Sequence, residues 1–426
     1  MQISRCFSWS RQVLGAFLVK IAEPFLYGLA FLWRRALVST KFILITGSLG
    51  KTTTKECLSE ILAVRFPTFR SVRNQNARRL LSLNVLRVRP WHRFAVIETA
   101  TFKPGVMAKA ANLLRPDVAV IVSVAGTHLH GFGSIEEIAK EKMSALGGLR
   151  KGGAAILNGD EPRLSLSSSE NTFQTLKFGT SHSCDLHADN ITSRWPDRLN
   201  FRASSASDTV EFKTQMVGTH WIPSILASLL TAEYCGVPLS EAAEMTPRFL
   251  PFTARMQPVR LPSGAVFIRD EYNGSPWSFE TALEAFELAE AQRKILITGD
   301  YSDSTVRRRR RLARLGRRAA GLCNLAVFVG EHSHHSQQAA VRAGLTSSTA
   351  LNFAQPKDAS DFLKGELRDG DLVLLKSRAN DHLSRLLFAQ VGEVLCWRPT
   401  CPERLLCDIC WRLGCRPSDM AKIEPV

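Results

Sequence analysis

The sequence has no collagen-like period, no long low-complexity tract and no internal repeat, which excludes fibrous, disordered and solenoid architectures. It also lacks a clean membrane span. Its most apolar stretch, Val13 to Trp33, is interrupted by Lys20, Glu23 and Pro24, which a span tolerates poorly. No small-residue cleavage site follows that stretch, as a signal peptide would require. Acidic residues are in short supply: 39 against 55 Lys and Arg leaves a net charge of +16 at pH 7. That excess favours acidic partners such as nucleotides, phosphate esters, nucleic acid or an anionic membrane face. Of ten cysteines, Cys6, Cys57, Cys184, Cys235 and Cys323 are scattered, whereas Cys396, Cys401, Cys407, Cys410 and Cys415 crowd the end. The body therefore carries no disulfide framework, and a reduced, cytosolic protein is expected.

What is present suffices for two or three domains: 426 residues, 45% hydrophobic and 22% charged. Short β-branched runs alternate with helical patterns, the signature of α/β architecture with parallel sheets. Phe42 to Thr46, Phe94 to Glu98, Val118 to Val124 and Ala154 to Leu157 read as buried strands of a first parallel-sheet domain. Val266 to Arg269, Lys294 to Thr298, Leu325 to Val329 and Leu372 to Leu375, with a helix over Ser278 to Gln292, read as a second, Rossmann-like α/β domain. Between them lie a Ser-rich stretch of short strands, Ser165 to Thr214, and a helix over Pro223 to Cys235. The expected division is an apolar and basic arm over 1–40, a first α/β domain over 41–250, a second domain over 251–395 and a Cys-rich tail over 396–426. Arg5, Arg11, Arg34 and Arg35 flank the apolar part of the arm, so it suits either an interfacial helix contacting a membrane peripherally or a helix packed on the body.

Phe42 to Thr46 runs directly into Gly47-Ser48-Leu49-Gly50-Lys51-Thr52-Thr53-Thr54 and then into a helical pattern through Leu62. Strand, glycine turn and helix in that order let backbone N–H groups and the helix dipole meet phosphate oxygens. Lys51 can then reach the outer phosphates, and the Thr52 hydroxyl can ligate Mg²⁺, so the domain over 41–250 reads as a P-loop ATPase domain that binds ATP. Ile45 stands where the eight-residue P-loop pattern places its first glycine, so a plain turn with a surface lysine is the competing reading.

From this loop to about Gln390 the chain resembles the Mur ligase family, whose phosphate loop has the same compact Gly-x-x-Gly-Lys-Thr form, and most closely its D-alanyl-D-alanine-adding branch. Val96-Ile97-Glu98 looks like the family's strand-end glutamate, and Thr127-His128-Leu129-His130-Gly131-Phe132-Gly133-Ser134 like its histidine loop. Ile138-Ala139-Lys140-Glu141-Lys142 is similar to its Ile-Ala-x-x-Lys segment, and Ile156-Leu157-Asn158-Gly159-Asp160 follows in the family's order. The resemblance implies that Glu98, His128 and a carbamoylated Lys142 hold Mg²⁺ with Thr52. It further implies that Gly47, Gly50, Lys51, Thr52 and Thr53 bind ATP, and that Lys51, His128 and Lys142 serve catalysis. Ala254-Arg255-Met256 and Asp270-Glu271-Tyr272-Asn273-Gly274-Ser275-Pro276 resemble elements that close over ATP, so the resemblance places Arg255 on phosphate and Asp270 on ribose. Leu375-Lys376-Ser377-Arg378 is similar to a segment on the amine-substrate side, where Lys376 and Arg378 would hold a carboxylate; an ordinary strand end fits equally.

The chain also departs from the pattern. Trp221, Ser224 and Ser275 replace asparagines, which changes the expected adenine contacts. Asn74-Gln75-Asn76-Ala77-Arg78-Arg79 keeps the start of a substrate loop, with Asn74 and Asn76 as candidate contacts, but loses its Asn-Glu continuation. The segment before the phosphate strand is far shorter than the UDP-binding domain of that branch. The implied function is ATP-dependent amide formation through an acyl phosphate, joining a small-molecule carboxylate to an amine. Competing readings are peptidoglycan-precursor ligation and a membrane-associated ATP-binding protein that does not ligate.

Two charged or reactive runs remain. Arg307 to Arg311 with Arg314, Arg317 and Arg318 lies opposite Leu312, Leu315 and Ala319 at helical spacing. That pattern fits a solvated helix face rather than a nucleic-acid site, since no aromatics interleave. In the tail, Cys401, Cys407, Cys410 and Cys415 are candidate Zn²⁺ ligands, because Cys407-Asp408-Ile409-Cys410 has zinc-knuckle spacing; free thiols on a flexible tail are the alternative.

Overall fold

The computed structural model describes residues 23–72, 78–126, 129–166, 172–302, 304–399, 401, 403 and 405–426. The first described element is helix α1 (residues 23–36). One face of it meets the body: Ala30 is buried, and Tyr27, Phe31 and Trp33 pack against a cluster containing Val85, Met107 and Leu114. Its arginines cap another helix. Arg34 donates through Nε to Leu114 O and through Nη2 to Arg115 O at 2.8 Å, while Arg35 donates to Leu113 O and Asn112 O. Cations on the last carbonyls of a helix complement its dipole. The opposite face carries Phe25, Leu29 and Leu32, all exposed. The apolar stretch that begins at Val13 thus packs on the body from residue 23 onward, and its earlier part lies outside the described residues. Among the described residues no helix is long and apolar enough to cross a membrane.

There follow β1 (Lys41–Thr46), α2 (Lys51–Ala63), β2 (Thr68–Arg70), α3 (Arg78–Arg87), β3 (Phe94–Glu98), α4 (Val106–Leu114) and β4 (Val118–Ile121). After these come α5 (Leu129–Phe132), α6 (Ile135–Met143), β5 (Ala154–Asn158), β6 (Gln174–Gly179) and β7 (Leu186–Thr192). The sheet runs β2-β3-β1-β4-β5-β6 with every pair parallel. Its central strands are buried along their length, as unbroken apolar runs require when helices cover both faces. β4 stops at Ile121, short of the expected Val124, because Val122 to Ala125 turn away to hold the phosphate loop. The chain continues through β8 (Asn200–Ser205), β9 (Thr209–Lys213), α7 (Ile222–Tyr234) and α8 (Leu239–Met245).

The later elements are β10 (Gln257–Arg260), β11 (Val266–Asp270), α9 (Pro276–Leu288), β12 (Arg293–Thr298), α10 (Arg308–Ala320), β13 (Leu325–Val329) and α11 (His334–Arg342). They are followed by β14 (Ala350–Phe353), α12 (Pro356–Glu366), β15 (Asp371–Lys376), α13 (Ser384–Phe388), α14 (Pro417–Met420) and β16 (Glu424–Pro425). Their sheet has the order β14-β13-β12-β15-β11-β10-β16; the first five strands are parallel and the last two antiparallel. The order reverses between β12 and β15, which opens a crevice beyond their carboxyl ends.

The chain forms two compact units. One holds the chain up to Asp189 with Ala203–Val210 and Trp221–Met245; the other holds Asn190–Arg202, Glu211–His220 and Thr246–Val426. The Cys-rich end is folded onto the second unit rather than trailing from it. Cys407 and Leu413 pack with Phe388, Ala389 and Val394, β16 pairs with β10, and the Asp408 carboxylate meets both terminal nitrogens of Arg269 at 2.7 and 3.0 Å.

Candidate active site

The turn after β1 is shaped by close packing. Gly50 has φ 81°, a left-handed conformation that favours glycine, and a Cβ there would collide with the Ser224 hydroxyl. A Cβ on Gly47 would meet the Ser123 amide nitrogen at 3.2 Å. The loop is laced to the end of β4: Ser48 N donates to Ser123 O, Leu49 N to Ser123 Oγ, and Ala125 N to Ser48 Oγ, each at 2.9 Å. Ser224, expected to affect adenine contacts, is instead a buried support of this loop. Its hydroxyl donates to Gly50 O, and its carbonyl accepts from Thr54. Trp221 is likewise buried, and the Ser275 hydroxyl caps α9 by accepting from Ser278 N.

Lys51 folds over the loop, donating to Gly47 O at 2.7 Å and Ser48 O at 3.0 Å. Thr52 Oγ1 lies 3.2 and 3.1 Å from the two carboxylate oxygens of Glu98, at the end of β3. Thr53 is buried, and its hydroxyl has no partner among the described residues. Lys142 on α6 is also buried. Desolvation first, then the charge of Lys51, lowers its pKa to about 7, opposed by Glu141. Glu141 accepts from Gly105 N and Met107 N, both at 2.7 Å, which anchors α6 to the start of α4. Asn74, Asn76 and His128 lie outside the described residues.

One cation in this site was not anticipated. Lys55, a turn beyond Lys51 on α2, is buried with Nζ 3.8 Å from Glu98 Oε2 and donates to Ser71 O. Its signal was the i, i+4 spacing from Lys51, which puts both lysines on one helix face.

On the second unit, Arg255 stacks on Tyr272 with its guanidinium carbon 4.3 Å from the ring centroid. It lies between Ala254 and Met256, two non-glycine residues with positive φ (59° and 47°), a costly conformation of the kind that collects at functional sites. Asp270 ends β11. Its Oδ1 accepts from Met256 N at 3.1 Å and its Oδ2 from Lys376 Nζ at 2.5 Å. Lys376 was expected at a substrate carboxylate; it is fully buried and also donates to Asn273 O at 2.7 Å and the Ser278 hydroxyl at 3.2 Å. Its role is therefore internal. His220 sits within electrostatic reach of this pair, and burial lowers its pKa to about 4, against the raising effect of Asp270.

Arg378 does reach an open site. It borders a crevice of about 400 Å³ beyond β12, β13 and β15, lined also by Asp300, Asp381, Arg308, Glu331 and His332. Arg378 Nε donates to Asp381 at 2.8 Å, and its Nη1 lies 3.9 Å from Asp300. Although burial opposes it, Arg311 and then Arg378 hold Asp300 below the usual carboxylate range. Charges of both signs in one crevice suit a zwitterionic ligand.

The zinc expectation is not supported. Among the described residues no group of three or more His, Cys, Asp and Glu side chains is placed to hold a metal ion. Cys407 Sγ faces His382 Nδ1 at 3.3 Å, and burial pushes its thiol up to about 11, so it is packed as a neutral side chain.

Residues 45–232 match the Mur ligase middle domain, and residues 254–379 match the Mur ligase glutamate ligase domain. The UDP-N-acetylmuramoyl-tripeptide–D-alanyl-D-alanine ligase of Bacillus subtilis is 30% identical over 266 residues, covering 62% of this chain and 56% of the relative. The enzyme of that name from Escherichia coli is 27% identical over 308 residues, covering 71% and 67%. The chain thus spans little more than half to two thirds of these relatives' length. Among solved structures, MurF of Acinetobacter baumannii superposes with a TM-score of 0.78 at 23% identity, over 86% of this chain and 80% of that one. MurF of Thermotoga maritima, solved in complex with ADP, gives 0.72 at 23% identity, over 87% and 83%.

Proposed function

The chain belongs to the Mur ligase family, and from that premise we propose that it is an ATP-dependent, ADP-forming ligase that joins a small-molecule carboxylate to an amine. The observation that carries the proposal is the Thr52–Glu98 contact at the amino end of α2, beneath a glycine loop too tight for a Cβ at Gly50. A hydroxyl and a carboxylate beside a phosphate cradle are hard oxygen donors of the kind Mg²⁺ takes. On this reading Thr52, Glu98, His128 and a carbamoylated Lys142 hold Mg²⁺, which when bound neutralises phosphate charge. Gly47, Gly50 and Thr53 shape the phosphate cradle.

The protein's share of the chemistry is positional and electrostatic. Lys51 leaves the Gly47 and Ser48 carbonyls for the outer phosphates of ATP. The substrate carboxylate attacks the γ-phosphorus and expels ADP, and the neutral amine then displaces phosphate from the acyl phosphate, giving up a proton as the amide forms. The burial of Lys142 favours the neutral amine, the form that accepts CO₂. Arg255 meets phosphate and Asp270 the ribose, with Lys376 holding Asp270 in place. The amine substrate enters the crevice at Arg378, whose mixed charge suits an amino acid or short peptide.

The test is ADP release and intact-mass detection of product over a panel of acids and amines. It should begin with the UDP-muramoyl tripeptide and D-alanyl-D-alanine named for the relatives. Release of ADP that requires both an acid and an amine, and that Lys51→Ala abolishes, is the expected result. Full ligation by Lys51→Ala, or tight ATP binding without ADP release across the panel, overturns it.

A peripheral membrane contact is proposed from a separate observation, the outward stripe of Phe25, Leu29 and Leu32 with Val38 beyond it, next to a segment whose charges before Glu23 are all basic. Flotation with phosphatidylglycerol vesicles checks it; co-flotation that persists in Phe25→Ser/Leu32→Ser excludes this stripe as the contact.

A further inference from the structure

Helix α10 carries its arginines in two electrostatic states. Arg308 and Arg311 pair with Asp300 at 3.4 and 2.6 Å, and Arg318 pairs with Glu287 and Glu280. Arg309 and Arg317, two turns apart on another face, have no carboxylate within ion-pair distance among the described residues, and neither has Arg342 on α11. These three line one cleft of about 280 Å³ between α10 and α11. The cleft also holds the half-buried His335 and the exposed Gln338, beside Ala313, Ala339 and Ala343, and no acidic group lines it.

The cleft exists because the two helices pack closely. Gly316 leaves no room for a Cβ against the Ser336 carbonyl, and the Ser336 hydroxyl donates to Leu312 O at 2.9 Å. Small residues on both helices then leave a trough whose rims are cationic. Clustering like charges without counter-charge opposes folding; Arg308, Arg311 and Arg318 offset that cost through Asp300, Glu280 and Glu287, whereas Arg309 and Arg317 face the cleft without such a partner among the described residues.

We infer that this cleft is an anion site for a compact phosphate group, a diphosphate or similar multiply charged ester, distinct from the phosphate loop of the other unit. Three arginines line one small volume, and planar guanidinium forks match phosphate oxygens in pairs. His335 adds a ring nitrogen that gains charge as pH falls. No Phe, Tyr or Trp lines the cleft, and its small volume fits a single compact anion better than a nucleic-acid strand.

The probe is inorganic pyrophosphate, titrated calorimetrically into the full-length protein. Wild type should bind two equivalents, one at each site, and Lys51→Ala should retain the one in this cleft. Arg309→Gln/Arg317→Gln should lose that second equivalent, with affinity falling about tenfold or more for each guanidinium removed. Arg310→Gln/Arg314→Gln removes the same charge from the side of α10 that borders Trp277 and Tyr301, and should leave both equivalents unchanged. Circular dichroism confirms that the variants fold, as expected for exposed positions. Two equivalents in Arg309→Gln/Arg317→Gln, or equal weakening by the two double variants, overturns the site. An oligonucleotide that binds more tightly than pyrophosphate and displaces it from the cleft overturns the small-anion assignment in favour of nucleic acid.

Discussion

The ammonium of Lys376, wholly shielded from solvent, meets Oδ2 of Asp270 at 2.5 Å across the parallel pair β15–β11. The same ammonium reaches Asn273 O and the Ser278 hydroxyl, so one cation fixes a strand end, the loop after it and the start of α9. Removing it strands a buried carboxylate. Lys376→Ala should therefore lose roughly 3–5 kcal/mol of stability. Lys376→Met/Asp270→Asn should lose less than the single variant, since neither charge then remains. Urea denaturation of both proteins checks this, and a loss below about 1 kcal/mol in Lys376→Ala would mean that the pair is not structural.

Gly50 gives a local prediction. Gly50→Ala imposes a left-handed conformation on an L-residue, at about 1–2 kcal/mol, and drives a methyl into Ser224. Nucleotide affinity should fall at least tenfold in calorimetric titration, because the loop must shift where phosphate is to bind. Ser224→Gly in the same chain should recover only the steric part.

Desolvation of the half-buried His220 makes stability depend on pH. Its folded pKa of about 4 lies below the ordinary 6.5, so the unfolded chain binds the extra proton first. The stability it contributes is complete above pH 6.5 and is lost progressively as pH falls toward 4. Thermal melts between pH 7 and pH 4 should show a fall that is smaller in His220→Gln. Parallel curves for the two proteins would remove His220 from the account.

Much of this arrangement was legible in the chain itself, and the illegible parts share a cause. The strands at Phe94 to Glu98 and Leu325 to Val329 matched the apolar runs residue for residue, because a strand buried on both faces leaves an unbroken hydrophobic signature. The phosphate turn announced itself through glycines adjacent to the lysine and threonines they position. Lys376 and Arg378 looked alike as a basic pair at a strand end, yet one is internal and the other open. The difference is set by Asp270, 106 residues away, which no local pattern reports. Likewise Asp408 finds Arg269 across 139 residues, so the cysteine-rich end looked like a tail although a buried ion pair docks it. Ser224 read as a lost asparagine on the adenine side. Its contact with Gly50 depends on α7 passing beneath the loop, which only the tertiary fold shows.

Lys142 separates a working ligase from a chain that only binds nucleotide. A lysine ammonium beside Mg²⁺ would repel the metal, whereas a carbamate reverses the charge and offers oxygen ligands. Lys142 lies on the same unit as Lys51 and the Thr52–Glu98 contact, buried, with Glu141 anchoring its helix to α4. Lys142→Ala should abolish ligation while ATP binding falls only a few-fold, since Lys51 and the backbone loop still hold the phosphates. The truncation also leaves space of about the size of the lost side chain. A short carboxylic acid such as formate or acetate, added with bicarbonate removed, should enter that space and restore part of the activity, with a rate that saturates in acid concentration. The wild-type protein should instead lose turnover when dissolved CO₂ is stripped, and regain it with bicarbonate. Unchanged turnover in Lys142→Ala would sink the metal-holding role, and rescue by a short amine in place of the acid would assign the site a cation.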